Sequence, residues 1–238
     1  MMLLKEGIDK ETLSKYLEEY FDTYNDYLPN IYKSVYQMNY LSGLYDQYVD
    51  STLCQFYKEY NLLKEEADMY NAFVNIIRHN HPDLSDKTIL DVGSGFLPQL
   101  GRELAKYSKH VISIDKNVID YNNPSNLEVI KKDIISSKDL PNADIIVGLL
   151  PCEATPYIID KSCDIGSDFI IALCTCIHDP KLQEQMRRGE ITRLQAMDQM
   201  TKNNIYYAYN KVHENNMGEL VEYESPYNFP SKVIGNRR

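Results

Sequence analysis

The 238-residue sequence has no tryptophan, only five cysteines and no apolar run near the roughly 20 residues that a membrane-spanning helix needs. The cysteines are odd in number and lack a framework spacing, which disfavours a disulfide scaffold and favours a reducing compartment. A charge appears at Lys5, so no signal-peptide apolar core is predicted. We therefore expect a cytoplasmic protein without a membrane segment.

Basic residues are also few. The chain has 25 Lys and Arg against 35 Asp and Glu, for a formal net charge of −10. Nucleic-acid binding needs clustered basic side chains that neutralise phosphates, so this balance disfavours nucleic acid as the main partner. The length fits one ordinary domain with an extension, and it can bury a core without disulfides or metal.

Tyrosine is abundant instead, with 20 residues in the chain. Residues 1–85 are predicted to form an N-terminal helical cap, with a further helix over about 51–79. A stripe of tyrosines recurs at helical steps of three and four: Tyr16, Tyr20, Tyr24, Tyr27, Tyr32, Tyr36 and Tyr40. The stripe is interpreted as packing, as stacking on an acceptor in a capped pocket, or as the face of a homodimer.

From residue 86 to 238 the pattern changes to short apolar runs closed by an acid, a glycine or a proline. Such runs indicate buried strands, predicted at Thr88–Val92, His110–Asp115, Leu127–Lys132, Ala143–Leu150 and Asp168–Ile177. A helix is predicted over Pro98–Lys109 and another over Lys181–Met200. Ile205–Glu214 and Glu219–Ser225 are predicted as a closing hairpin, and the tail Ser231–Arg238 as loose. The expected fold is α/β and Rossmann-like: a seven-stranded, mostly parallel sheet with helices on both faces.

The first of these strands ends in Asp91, and a glycine turn follows it: Gly93-Ser94-Gly95-Phe96. Glycines permit a tight turn and the close approach of a ligand. The dinucleotide fingerprint G-x-G-x-x-G is incomplete, because Pro98 stands where its third glycine is expected. A nicotinamide or flavin site is therefore disfavoured.

The sequence Asp91-x-Gly93-x-Gly95 after a buried strand resembles motif I of the class I S-adenosylmethionine-dependent methyltransferases. An acid ends the second strand at Asp115 and another ends the third at Asp133, at spacings similar to those of that family. The resemblance implies S-adenosyl-L-methionine as the cofactor and methyl transfer as the reaction, with a small-molecule acceptor favoured. It implies these cofactor-binding residues: Asp91, Gly93, Ser94, Gly95, Phe96, Asp115, Lys116, Asp133, Ile134 and Leu150.

Two residues past the fourth and fifth strands are candidates for catalysis. Glu153 is predicted to act as a base or to orient the acceptor; the alternative is a surface acid that caps the next helix. His178 is predicted to accept or donate a proton at the edge of the site. The predicted fifth strand has possible zinc ligands at alternating positions: Cys174, Cys176 and His178. Their side chains would share one face of the strand, so a zinc site is one interpretation. Buried cysteines are more often small core residues, so the sequence predicts no metal site.

Three alternatives stay open. The run Gly93 to Pro98 resembles the Gly-Ser-Gly-x-Leu-Pro of nicotianamine synthase-like enzymes, which transfer an aminobutyrate group from S-adenosylmethionine. The layout, including Leu-Leu-Pro after the fourth strand, also resembles ribosomal RNA methyltransferases, although the charge opposes this. The third alternative is a catalytically silent protein that binds S-adenosylmethionine and docks a partner.

Overall fold

The computed structural model describes residues 62–95, 98–118, 120, 123–223 and 232–238. The chain divides into two compact units, Met1–Met69 and Tyr70–Arg238, and the second contains the sheet. The predicted helical cap and its tyrosine stripe lie outside the described residues, apart from the end of the helix predicted over 51–79. The domain boundary at 85/86 therefore stays a prediction.

The described elements alternate between strand and helix through most of the second unit. In chain order they are α1 (Leu62–Asn80), β1 (Thr88–Val92), α2 (Gln99–Ala105), β2 (His110–Asp115), β3 (Leu127–Lys131), a 3-10 turn (Ser137–Asp139), β4 (Ile145–Leu149), a 3-10 turn (Cys152–Ala154), α3 (Thr155–Ile165), β5 (Asp168–Ala172), α4 (Pro180–Arg187), α5 (Arg193–Glu214), β6 (Glu219–Tyr223) and β7 (Val233–Arg237).

In the described part of the chain, seven strands form one sheet in the order β3-β2-β1-β4-β5-β7-β6. The strands from β3 to β5 are parallel, whereas β7 runs antiparallel to both β5 and β6. The predicted Rossmann-like fold class is confirmed. Because the strand order reverses between β1 and β4, a crevice forms at the carboxyl ends of these two strands, where open α/β sheets bind ligands.

The core lies on both faces of the sheet. On one face, Phe73 and Ile77 of α1 and Leu104 of α2 pack against one set of alternating strand residues. On the other face, Ile158 of α3 and Val212 of α5 pack against the complementary set. The near-continuous apolar runs in the central strands follow from this burial on both sides.

Three predictions for the C-terminal part are wrong. Ile205–Glu214 is not a strand but the second half of α5, because its buried positions Ala208 and Val212 repeat at helical spacing with Met200 and Ala196. The predicted helix Lys181–Met200 is two helices, separated near Gly189, whose φ is +70°. The segment predicted as a loose tail contains β7, which partners β6 in place of residues 205–214.

The fifth strand is shorter than predicted, since it ends at Ala172 rather than at residue 177. No helix in the described ranges is both long enough and apolar enough to cross a membrane.

Candidate functional site

The glycine turn after β1 is held against the end of β2 by its own backbone. Gly93 and Gly95 adopt φ of +72° and +74°, which favours glycine. The N–H groups of Gly93 and Ser94 donate to the carbonyl oxygen of Ile114 at 2.9 and 3.3 Å, and that of Gly95 donates to Oδ2 of Asp115 at 3.1 Å. The N–H groups of these three residues are therefore occupied within the protein.

The end of β4 forms the opposite wall of this turn. A Cβ on Gly93 would lie 3.1 Å from Cα of Pro151, so the residue is glycine for space as well as for conformation. The residues on either side of Pro151 have positive φ, at 57° for Leu150 and 48° for Cys152. Left-handed backbone at residues other than glycine is costly and is concentrated at functional sites. The crevice at the strand-order reversal therefore has a close-packed, strained wall.

Gly101 of α2 was not singled out from the sequence, although it shapes the site. A Cβ there would lie 2.1 Å from Oγ of Ser113 and 3.4 Å from Oδ2 of Asp91. Its backbone N–H also hydrogen-bonds the carboxyl group of Asp91. Gly101 thus supplies the close approach of helix to sheet that the third glycine of a dinucleotide fingerprint gives elsewhere.

Asp115 ends β2 beside the glycine turn. Its two carboxylate oxygens each accept one backbone N–H: Oδ2 from Gly95 and Oδ1 from Asn117 at 2.8 Å. Burial raises the pKa of this carboxyl group, while the two hydrogen bonds oppose the rise. Each oxygen has a further acceptor position, so the carboxylate can still receive two hydrogen bonds from a ligand.

Asp91 is the buried acid of the site and is only 1% exposed. Ser113 Oγ donates to its Oδ2 at 2.9 Å, whereas Oδ1 has no hydrogen-bond partner among the described residues. Burial raises the pKa of Asp91 to about 7, and the charge of Asp115 adds to this effect. The buried hydroxyl of Ser94 likewise has no partner within the described ranges. Asp91 Oδ1 and Ser94 Oγ are thus available to hydrogen-bond a ligand.

The other predicted cofactor residues follow the ends of β2, β3 and β4. Lys116 and Asp133 are exposed, and their charges act on the Asp115 carboxyl group in opposite directions. Ile134 is half-buried against the core, and Leu150 is half-buried beside Pro151. Phe96 lies outside the described residues. The fold therefore gathers the predicted residues of β1, β2 and β4 at one edge of the sheet.

The two predicted catalytic residues lie past the neighbouring strand ends. Glu153 is exposed in the 3-10 turn that follows β4. His178 is half-buried after β5, and its Nδ1 has no hydrogen-bond partner in the described part of the chain. Both follow carboxyl ends of strands adjacent to the crevice, but no described contact joins either side chain to Asp91 or Asp115. Their roles stay predictions.

Comparison with protein-family models and with curated proteins gives no match. Among solved structures, the chain is similar to a candidate S-adenosylmethionine-dependent methyltransferase from Methanococcus maripaludis, with 17% identity over 79% of this chain and 93% of that one, and a TM-score of 0.46. It is also similar to the N-methyltransferase NodS from Bradyrhizobium japonicum, with 11% identity, 72% and 98% coverage and a TM-score of 0.40.

A third similar structure is phosphoethanolamine N-methyltransferase 1 from Haemonchus contortus in complex with phosphoethanolamine and S-adenosylhomocysteine, with 13% identity over 70% of this chain and 33% of that one, and a TM-score of 0.37. Methyltransferases are thus among the structures that the chain resembles. Because these TM-scores are below 0.5, the function proposed below rests on the residues of this chain. The likeness of residues 93–98 to nicotianamine synthase-like enzymes stays a prediction.

Proposed function

We propose that the chain is an enzyme that binds S-adenosyl-L-methionine at the carboxyl ends of β1, β2 and β4 and transfers its methyl group to a small-molecule acceptor. The observation that carries this proposal is the Asp115 carboxylate, which is fixed against the N–H of Gly95 at 3.1 Å. A carboxylate so placed accepts from the two hydroxyls of a ribose. The glycine turn beside it leaves the ribose and its substituents room to approach.

The charge of the crevice supports a cationic nucleoside over a polyphosphate. Asp91, Asp115 and Asp133 supply three carboxyl groups around the turn, and the N–H groups of residues 93–95 are already occupied. A pyrophosphate would meet the carboxylates of Asp115 and Asp133, and the described N–H groups of residues 93–95 would not offset the repulsion. S-Adenosylmethionine carries a sulfonium and an ammonium group, which these two carboxylates attract. The unpartnered Oδ1 of Asp91 and the hydroxyl of Ser94 fit such a ligand.

The bound cofactor supplies an electrophilic methyl carbon, and the task of the chain is then mainly to position a nucleophile in line with it. We assign acceptor orientation to Glu153 and His178, because they follow the strands beside the crevice. The net charge of −10 supports a small-molecule acceptor in so far as it disfavours nucleic acid. A cytoplasmic location and a homodimer belong to the same proposal.

Calorimetric titration of the purified full chain with S-adenosylmethionine and S-adenosylhomocysteine tests the cofactor, with NAD as the control. Saturable binding of the first two alone supports the proposal, and binding of NAD alone overturns it. Identification of the released nucleoside tests the reaction. S-Adenosylhomocysteine marks methyl transfer, whereas methylthioadenosine would show the aminobutyrate transfer of nicotianamine synthase-like enzymes. Binding without turnover over a broad panel of acceptors would favour a silent binding protein.

A further inference from the structure

A cluster of three thiols lies beside the crevice and has no part in the cofactor site. Sγ atoms of Cys152, Cys174 and Cys176 all lie within 4.8 Å of one another, and those of Cys152 and Cys174 are 3.1 Å apart. The sequence suggested Cys174, Cys176 and His178 as a set, but the fold replaces the histidine with Cys152 from the preceding strand end. We infer that Cys152, Cys174 and Cys176 form a zinc site of three thiolates with a fourth coordination position open.

The sheet brings these residues together. β4 and β5 are parallel neighbours whose last residues, Leu149 and Ala172, are directly paired. Cys152 follows the first strand end by three residues and Cys174 follows the second by two, so both lie at the same edge. The positive φ of Cys152 is part of the turn that directs the chain here. The cluster is thus a product of tertiary structure at two adjacent strand ends.

The distances suit a metal ion. Zinc–sulfur bonds are about 2.3 Å long, and in a tetrahedral site this length places sulfur atoms about 3.8 Å apart. The Cys152–Cys174 distance of 3.1 Å is shorter than this value, and no pair is more than 4.8 Å apart, so shifts of up to about 1 Å would bring the sulfur atoms to it. A disulfide needs sulfur atoms about 2.05 Å apart, and the described cysteines are all free thiols.

One backbone hydrogen bond reaches the cluster. The backbone N–H of Cys176 donates to Sγ of Cys174 at 3.2 Å, a bond that stabilises a thiolate. Thiolates are the form that binds metal, so each thiol would lose its proton to solvent on binding.

The accessibility of the cluster suits an open site. Cys174 is buried, Cys152 is half-buried and Cys176 is exposed, which gives an ion a path from solvent. Three protein ligands with one free position are typical of zinc sites that bind water or a substrate atom. Cys163 on α3 offers the contrast within the same protein, since its Sγ only donates to the carbonyl oxygen of Lys211 at 3.7 Å.

Zinc titration of the reduced, metal-free full chain against a chromophoric chelator tests the inference, with Co²⁺ as a spectroscopic probe of thiolate ligation. We expect one Zn²⁺ per chain and a thiolate-to-cobalt charge-transfer band. C176S should lower the zinc association constant by more than about 100-fold, because loss of an outer-shell partner alone costs 10–100-fold. Cys176 is exposed, so this variant keeps the core intact. C163S is the matched control and should bind zinc as the wild type does.

A double variant, C54S/C163S, keeps only the three clustered cysteines and should retain full zinc affinity. Two results would overturn the inference. One is equal zinc affinity in the wild type and C176S. The other is a reduced wild type that binds no zinc but forms a Cys152–Cys174 disulfide on oxidation, which would make the pair a redox element. Neither result depends on whether S-adenosylmethionine binds.

Discussion

Replacement of Asp91 by asparagine should remove a large pH dependence from the stability of the protein. The carboxyl group is 1% exposed, and burial raises its pKa from 3.8 to about 7. The hydrogen bonds from Ser113 and from the backbone of Gly101 counteract only part of this rise, and the charge of Asp115 adds to it. The folded state therefore binds a proton that the unfolded chain releases at neutral pH.

The magnitude follows from the difference between the two pKa values. Below about pH 4 the group is protonated in both states and its contribution to folding is fully present. As the pH rises toward 7, only the unfolded chain loses the proton, so the free energy of unfolding falls. The difference of about 3 in pKa corresponds to a total loss of about 4 kcal/mol, of which about 2.5 kcal/mol falls between pH 5 and pH 8.

Urea denaturation of the wild type and D91N at pH 5, 6, 7 and 8 measures this loss. Other shifted groups, such as His81 and Asp115, are present in both proteins and largely cancel in the comparison. The free energy of unfolding of D91N should change by about 2.5 kcal/mol less than that of the wild type between pH 5 and 8. D133N is the matched control, since Asp133 is exposed, and should follow the wild type. Parallel pH profiles for D91N and the wild type would refute the assignment.

Three further substitutions test the site and its support. D115A should weaken S-adenosylmethionine binding by about 1–3 kcal/mol through loss of charged-acceptor hydrogen bonds; unchanged calorimetric affinity in a folded variant would remove the ribose assignment. G93A should destabilise the fold more than G189A. Both residues have positive φ, but an added Cβ would meet a neighbour, Pro151, only at Gly93. Equal urea midpoints for the two variants would contradict this contact. N236A should cost about 1–3 kcal/mol, because the buried N–H of Phe169 loses its acceptor, which thermal unfolding would detect.

The parallel half of the fold was predictable because its signals are local. β1 and β2 have the predicted bounds, Thr88–Val92 and His110–Asp115, since each is a buried apolar run, followed by a glycine in β1 and closed by an acid in β2. The glycine turn and Asp115 were found for the same reason. The number of residues between the glycine turn and Asp115 is set by α2 and β2, which lie between them. This spacing can therefore be recognised in the sequence without knowing which other elements pack nearby.

The last strand was predicted wrongly because tertiary partners decide its structure. Asn236 and Gly235 belong to a turn by composition, yet both are buried in β7. Asn236 is accommodated because its side chain accepts from the N–H of Phe169 at 2.7 Å and donates to Asp168 at 3.0 Å and to the carbonyl oxygen of Met217 at 3.1 Å. Gly235 passes close to the carbonyl oxygen of Phe169. Neither contact is visible in a sequence read along the chain.

The thiol cluster was not predicted from the sequence for a related reason: Cys152 joins Cys174 and Cys176 only through the pairing of β4 with β5. The segment after β4 also connects the two candidate sites. Leu150, Pro151 and Cys152 form one short segment with left-handed residues at both ends, each of which costs about 1–3 kcal/mol. The middle residue packs against Gly93, and the last places its sulfur 3.1 Å from that of Cys174. The same three-residue segment therefore packs against the glycine turn and contributes one cysteine to the thiol cluster.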